Sequence, residues 1–410
     1  MRILLICHKI PFPLHDGGAC SIYHTAMGLA GCGADVHMLA VDTPKNPVDL
    51  SSVPPAFMDR IRFESVHVDT RIKPFRLFIN LAGKSPYFVE RFRSAEFAGR
   101  LKGILREKKF DIIQMEHLYM CLYLDVIRAG SEANVILRPQ NVENKIWRQL
   151  AEERPWSPVS VYFRISARRL RRFEEEMARR VDGIMAISGA DQATFREYAP
   201  HRPVTAIPIG FDFSRVQSVD LERQYAGPPV FYHLGSMDWR PNRQGIRWFI
   251  QKVIPHVKKD DPGFVFIIAG KKMPASPGKK DAGGLRVDPD VEDSIRYQED
   301  KSVLVVPLLS GSGIRAKIVE GMAMGKTVIS TSVGASGIPY TNGKDILIAD
   351  TPEEFAFQIR RCRESETLRR HIGLNAVQLA REHYDMNRTG EKMTEFYRDI
   401  SNQTKHLQTR

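Results

Sequence analysis

Short apolar runs and amphipathic stretches alternate along the chain. In the first half the runs are RILLI (2–6), DVHMLAV (35–41), RFESVHV (62–68), DIIQM (111–115), NVILRP (134–139), GIMAIS (183–188) and VTAIP (204–208). Helical patterns separate them, among them a helix near 20–31 and the charged SARRLRRFEEEMARRV at 166–181. Such runs between helices predict βαβ units and a parallel, doubly wound sheet. The pattern restarts at GPPVFYHLG (227–235) and continues through FVFIIAG (264–270), SVLVVPL (302–308), TVISTS (327–332) and DILIA (345–349). Two series predict two Rossmann-like α/β domains, 1–212 and 213–386. The joint is expected near 213–228, where the chain is polar and carries Gly227-Pro228-Pro229. MPASPGKKDAGG (273–284) reads as a loop, and NRTGEKMTEFYRDI (387–400) as a final helix that composition assigns to neither domain.

A chain of 410 residues holds two domains of ordinary size, and 43% hydrophobic with 26% charged residues is the composition of a globular protein. No apolar run approaches the ~20 residues of a membrane-spanning helix. The opening MRILLICHKIPFP is cut by His8, Lys9 and two prolines, so it reads as a first strand rather than a leader peptide. Five scattered cysteines without a CxxC pair argue for a reducing, cytoplasmic compartment and against a structural zinc site. Lys and Arg exceed Asp and Glu by 60 to 48, a net +12 that favours anionic partners. The excess thickens over 71–109, where basic residues interleave with Phe, Leu and Ile. That stretch has two readings: a solvated helix face over core, or a surface lying peripherally on the anionic inner face of a membrane. No nucleic-acid motif is present.

Ligands of open α/β sheets bind at the carboxyl ends of strands, so the loops after apolar runs carry the chemistry. GMAMGKT (321–327) imitates a phosphate loop, but the Gly that should stand five residues before Gly325 is Glu320. Helix precedes the segment and strand follows it, the reverse of a phosphate loop. Gly325 therefore reads as a helix stop. The anion site lies upstream, in LSGSG (309–313) and the helix IRAKIVEGMAM. There Ser312, Gly313 and Ile314 bring backbone amides to a ligand, and the helix start adds the positive end of its dipole. Arg315 and Lys317 add two cations where a purely structural helix start would favour Asp or Glu, which suggests a bound diphosphate. Glu320, deeper on the same helix, is placed to accept two hydrogen bonds from ribose hydroxyls.

These stretches resemble the retaining glycosyltransferases of the GT-B fold in the large group-one family. The resemblance runs through PFPLHDGGA, FDIIQMEHLYM, LRPQNVE, IMAISGAD, AIPIGFD, LGSMDWRPNRQGIRWF and SGSGIRAKIVEGMAMGKTVISTSVGASGI. It implies two Rossmann-like domains facing a cleft, an acceptor held by the first, and a nucleotide-sugar donor held by the second. It also implies a final helix (387–404) that returns to the first domain. The implied activity is hexosyl transfer to a glycan or lipid-linked acceptor in bacterial-type surface polysaccharide or glycoconjugate assembly. Glu320 matches the second of the family's paired glutamates; the first would stand at Ser312, a departure that bears on the donor sugar. GSMDWRPNR matches the family's phosphate-neutralising segment, with Arg240 first and Arg243 second as candidates. Gln244 stands near the usual lysine, and Arg315 and Lys317 are its expected substitutes. Gly17 and Gly18 match the loop that approaches donor phosphate or acceptor. Glu116 or His117 matches the residue that contacts the donor sugar, and His117 is chosen as a hydrogen-bond donor near neutral pH. Asn141 and Glu143 are acceptor-side candidates. No cofactor or metal is expected, because DPD (288–290) reads as a chance match in a loop. A nucleotide-sugar epimerase of the same fold, or a non-catalytic degenerate transferase, are the alternative functions.

Overall fold

The computed structural model describes residues 1–14, 17–44, 53–73, 75, 80, 85–152, 158–216, 220–273, 284–311 and 313–408. Ser312 and the loop core 274–283 lie outside the described residues, as does part of 71–109. The chain forms two compact units: one runs to Gly210 and resumes at Met386, and the other is Phe211–Asp385.

The first unit is built on a seven-stranded sheet of order β3-β2-β1-β4-β5-β6-β7. Its strands are β1 Arg2–Cys7, β2 Asp35–Asp42, β3 Ile61–His67, β4 Ile112–Glu116, β5 Asn134–Arg138, β6 Gly183–Ala186 and β7 Val204–Ala206. Every pairing among them is parallel. Successive side chains of a strand point to opposite faces. Leu4 and Ile6 accordingly enter one core, while Ile3 and Leu5 enter the other. Both faces of β1 are covered, which is why its sequence is a continuous apolar run. The last helix, Met386–Gln408, belongs to this unit and inserts Met393, Tyr397 and Ile400 beside Ile22, Ala26 and Leu29 of the first helix, Gly17–Gly31.

The second unit has a six-stranded sheet of order β10-β9-β8-β11-β12-β13. It comprises β8 Phe231–Leu234, β9 Phe266–Gly270, β10 Leu285–Pro289, β11 Val303–Val306, β12 Thr327–Ser330 and β13 Leu347–Ile348, again paired in parallel. Residues 213–228, expected as a joint, pack inside this unit. Phe213 and Val216 join its core, and the hydroxyl of Tyr225 donates to the carbonyl of Gly325 (2.6 Å). The crossing itself falls at Gly210–Phe211, where the Phe211 amide donates to Tyr384 O (2.6 Å).

Two local readings change. The DPD motif is only partly in a loop: Asp288 and Pro289 end the edge strand β10, and Asp290 follows it with φ 52°. That strand alternates polar and apolar residues and is half-exposed, so it lacks the apolar run that marks its buried neighbours. Asp288 is engaged by Arg286 Nε (2.8 Å) and the Tyr297 hydroxyl (2.8 Å). In the basic stretch, Ala95–Glu107 is a helix that buries Phe97, Leu101, Ile104 and Leu105, the solvated-face reading for that portion.

GMAMGKT is a helix end in the structure. The helix Ala316–Ala323 stops through Gly325, whose φ of 70° is left-handed. The amides of Lys326 and Gly325 donate to Gly321 O (2.8 Å) and Met322 O (2.9 Å), a Schellman closure. Lys326 is fully buried and donates to Gln224 Oε1 and Lys301 O (2.7 Å).

Candidate active site

In the second unit, chain order reverses between β8 and β11, so the loops leaving these strands flank a topological switch point. The β11 loop leads to Arg315, which caps the Ala316–Ala323 helix with extended backbone (φ −86°, ψ 101°) and no side-chain cap bond. Arg315 is only 6% exposed. Its Nη1 donates to Gly313 O (3.0 Å), and its guanidinium lies 5.3 Å from the ring centroid of Trp239, in the β8 loop. Burial pushes its pKa down to about 10.

Two turns of the same helix carry the next groups. Lys317 donates to Asn242 Oδ1 (2.9 Å) and lies 3.2 Å from His233 Nε2. Burial first, and Arg315 second, lower its pKa to about 7, opposed by Glu320. Glu320 Oε2 accepts from Ser294 Oγ (3.1 Å) and Oε1 from Gln298 Nε2 (2.6 Å), both on the short helix Ser294–Gln298. Gln298 is itself oriented by the Tyr232 hydroxyl (2.6 Å). A carboxylate has about four lone-pair positions, so two remain for a diol. Burial raises the Glu320 pKa, against Ser294, Arg215 and Gln298, which lower it. A solvated surface helix would leave these cations in water; here Arg315 is buried and Lys317 half-buried.

The other expected residues of this unit lie on the β11 loop and on the helix that follows β8. Gly313 lies in the loop with φ 76°, and the Ile314 side chain packs on the core. Arg240 is the first residue of the helix Arg240–Trp248 and is half-buried, next to Trp239. Arg243 is exposed, and Gln244 accepts from Ser310 Oγ (3.1 Å).

In the first unit the switch point lies between β1 and β4. Gly17 and Gly18 open the helix Gly17–Gly31. His117 follows β4 with φ 95°, an uncommon conformation for a side-chain-bearing residue. Its Nδ1 accepts from the Tyr119 amide (3.3 Å), so the neutral ring carries its hydrogen on Nε2, 3.4 Å from Glu143 Oε1. Nδ1 is thus engaged inside the unit, and Nε2 faces the Glu143 carboxylate. Tyr119 donates to Glu143 Oε2 (3.2 Å), and Glu174 accepts from the amides of Glu143 (2.7 Å) and Asn144 (3.2 Å). Asn141 is half-buried beside them. Glu116, the alternative to His117, is fully buried against Arg138, Gln114 and Gln140, and burial raises its pKa to about 6.

Sequence reasoning passed over His8, His233 and Asn242. His8 directly follows β1, and its ring lies 4.4 Å from that of His117. Its Nδ1 donates to Glu116 O (3.2 Å), which leaves Nε2 as an acceptor, and burial with His117 and Lys9 holds its pKa well below the ordinary value. Its position one residue past a central strand was the available signal.

Residues 16–210 match the glycosyl transferase 4-like domain, and residues 228–365 match the family glycosyl transferases group 1. The chain belongs to the group 1 glycosyltransferases. Among relatives of this glycosyltransferase is an "uncharacterized 44.6 kDa protein in cps region" of Klebsiella pneumoniae, 23% identical, the match covering 94% of this chain and 96% of that one. Sucrose-phosphate synthase from Thermosynechococcus elongatus has a similar structure at TM-score 0.68 and 17% identity, covering 98% and 99% of the two chains. TarM of S. aureus, solved with UDP, aligns at TM-score 0.67 and 10% identity over 97% and 99%. HepE of Anabaena, solved with UDP-glucose, aligns at TM-score 0.61 and 14% identity over 97% and 99%. At these identities the likeness is one of fold: two parallel α/β sheets, as in GT-B glycosyltransferases. Among the described residues no helix is long and apolar enough to cross a membrane.

Proposed function

We propose that this glycosyltransferase moves a hexosyl group from a nucleoside diphosphate sugar to an acceptor hydroxyl with retention of anomeric configuration. The carrying observation is the set Arg315, Lys317 and Glu320 on one helix start at the switch point of the second unit. Glu320 binds the ribose. Arg315, Lys317 and Arg240 stabilise charge on the departing diphosphate. The bond from the anomeric carbon to phosphate oxygen breaks as the bond to the acceptor oxygen forms on the same face. The acceptor's proton passes to the leaving phosphate oxygen. Fixed cations at that oxygen supply the electrostatic stabilisation without a metal. On the first unit, His117, Gly17 and Gly18 are assigned to substrate binding. The UDP complexes of TarM and HepE support the donor class, and the cps-region relative supports a role in surface polysaccharide assembly. NMR of the product formed with EDTA present is expected to show the donor's anomeric configuration. An inverted product, or activity that returns only on adding manganese, would refute the mechanism.

The acceptor is lipid-linked, at the inner face of a membrane. Ile72 and Phe75 are 53% and 76% exposed, and Val161, Arg164, Arg168 and Arg172 form an exposed stripe along the helix Pro158–Arg180. Arg169 ties that helix to Asn80 O (2.7 Å). Arg71 and Lys73, by contrast, share an ion pair with Asp69. Co-sedimentation with phosphatidylglycerol vesicles is expected at low salt and should fade as the Debye length shrinks from about 10 Å to about 3 Å between 0.1 and 1 M salt. Equal recovery with phosphatidylcholine alone would remove the electrostatic part. An epimerase reading draws on the His8–His117–Glu143 cluster; release of a free epimerised nucleotide sugar without acceptor would favour it.

A further inference from the structure

Two neutral groups hold the Lys317 ammonium. His233 lies on β8, fully buried, with Nδ1 2.8 Å from the carbonyl of Val305 on β11. A carbonyl only accepts, so Nδ1 carries the hydrogen and Nε2 turns a lone pair to Lys317. Burial and the neighbouring Lys317 keep this imidazole's pKa well below the ordinary value, so it stays an acceptor. On the other side, the Asn242 amide nitrogen donates to Ser236 O (2.8 Å), which directs Oδ1 at the lysine. An ammonium has three N–H groups. Two are taken by Asn242 and His233 among the described residues, and one remains. Gly235 makes the approach possible, because a Cβ there would stand 2.4 Å from Lys317 Nζ.

We propose that His233 is a positioning residue that, with Asn242, aims the third N–H of Lys317 at a phosphate oxygen of a nucleoside diphosphate sugar, and that binding this anion draws a proton onto Lys317. This rests on the reading of the second unit as the donor site and adds to it the residue that orients the cation and the ion exchanged on binding. Among the described residues, the ionisable groups around Lys317 are Arg315 and Glu320 on its own segment and His233 on β8; the helix Arg240–Trp248 faces it with uncharged Asn242. With a pKa of about 7, the free-state lysine is largely neutral at pH 8 and largely charged at pH 6. An anion within hydrogen-bond reach favours the charged form. Binding at pH 8 therefore takes up about one proton, binding at pH 6 takes up almost none, and affinity falls by up to about tenfold per pH unit above pH 7.

The test is titration calorimetry with UDP-glucose, GDP-mannose, ADP-glucose and dTDP-glucose, each in two buffers of different ionisation enthalpy. For whichever sugar nucleotide binds, wild type should show buffer-dependent heat at pH 8 that vanishes in Lys317→Met. His233→Asn keeps a donor for Val305 O but loses the contact with Lys317, and should weaken binding about tenfold. His233→Gln restores an acceptor near the Nε2 position and should bind within about threefold of wild type. Asn242→Leu removes the second holder and serves if His233→Asn does not fold. Buffer-independent heat at pH 8 overturns the proton uptake. Unchanged affinity in His233→Asn, or in Asn242→Leu where that variant stands in, overturns the positioning role. Failure of every sugar nucleotide to bind removes the donor-site reading itself, a result distinct from both.

Discussion

Glu320→Ala is expected to abolish the stabilisation that a sugar nucleotide gives the wild-type protein. A ligand at 100 times its dissociation constant raises stability by about 2.7 kcal/mol, which a thermal shift resolves easily. Ser294 and Gln298 hold the two oxygens of Glu320, so the carboxylate meets the ribose already oriented. Hydrogen bonds to a charged acceptor contribute about 1.5–3 kcal/mol each, so losing two should raise the dissociation constant by about 10²-fold or more. The unliganded variant should melt near the wild-type temperature, because Ala removes a carboxylate whose burial already opposes its ionised form. The measurement is a thermal-shift panel of UDP-, GDP-, ADP- and dTDP-sugars on both proteins. Equal shifts in the two would sink the assignment of Glu320 to the ribose.

Lys317→Met is expected to lower kcat by about 10²–10³-fold, the usual cost of removing one preorganised donor to developing charge. Release of nucleoside diphosphate with water as acceptor provides the assay, so no acceptor need be known. Folding stability should fall by no more than about 1–3 kcal/mol, since methionine removes a charge that burial penalises but leaves the His233 and Asn242 acceptors unpaired. Lys326 is the contrast. It is also buried, with its pKa lowered to about 7 by burial, yet its partners are Gln224 and the Lys301 carbonyl, at the far end of the helix. Lys326→Met should change melting temperature and leave turnover of the folded enzyme within about twofold. A wild-type kcat in Lys317→Met would remove the lysine from the chemistry; a large loss of stability there would make its role structural.

Patterns carried by a few consecutive residues are legible in the chain alone. Apolar runs such as SVLVVPL announce strands covered on both faces, and β11 is one. Gly325 announces a helix stop, and SGSGIRAKIVE places two cations and a carboxylate on one helix start. Glycosyltransferase membership follows from stretches of the same kind. These are local statements, because hydrophobic periodicity, capping and loop chemistry act within about one or two turns of chain.

Which distant residues complete those groups is a property of the folded chain. His233 reaches Lys317 across 84 positions of sequence and Asn242 across 75. Ser294 and Gln298 reach Glu320 across 26 and 22. His8 meets His117 only because β1 and β4 are neighbours in the sheet. The edge strand β10, half in solvent, is recognisable only through its pairing with β9. The last helix shows its place only through Met393, Tyr397 and Ile400 in the first unit's core. Local sequence suffices for most elements, the family and the charged helix start. Sheet order brings strand ends far apart in sequence to one switch point, and so sets what holds and tunes that charge.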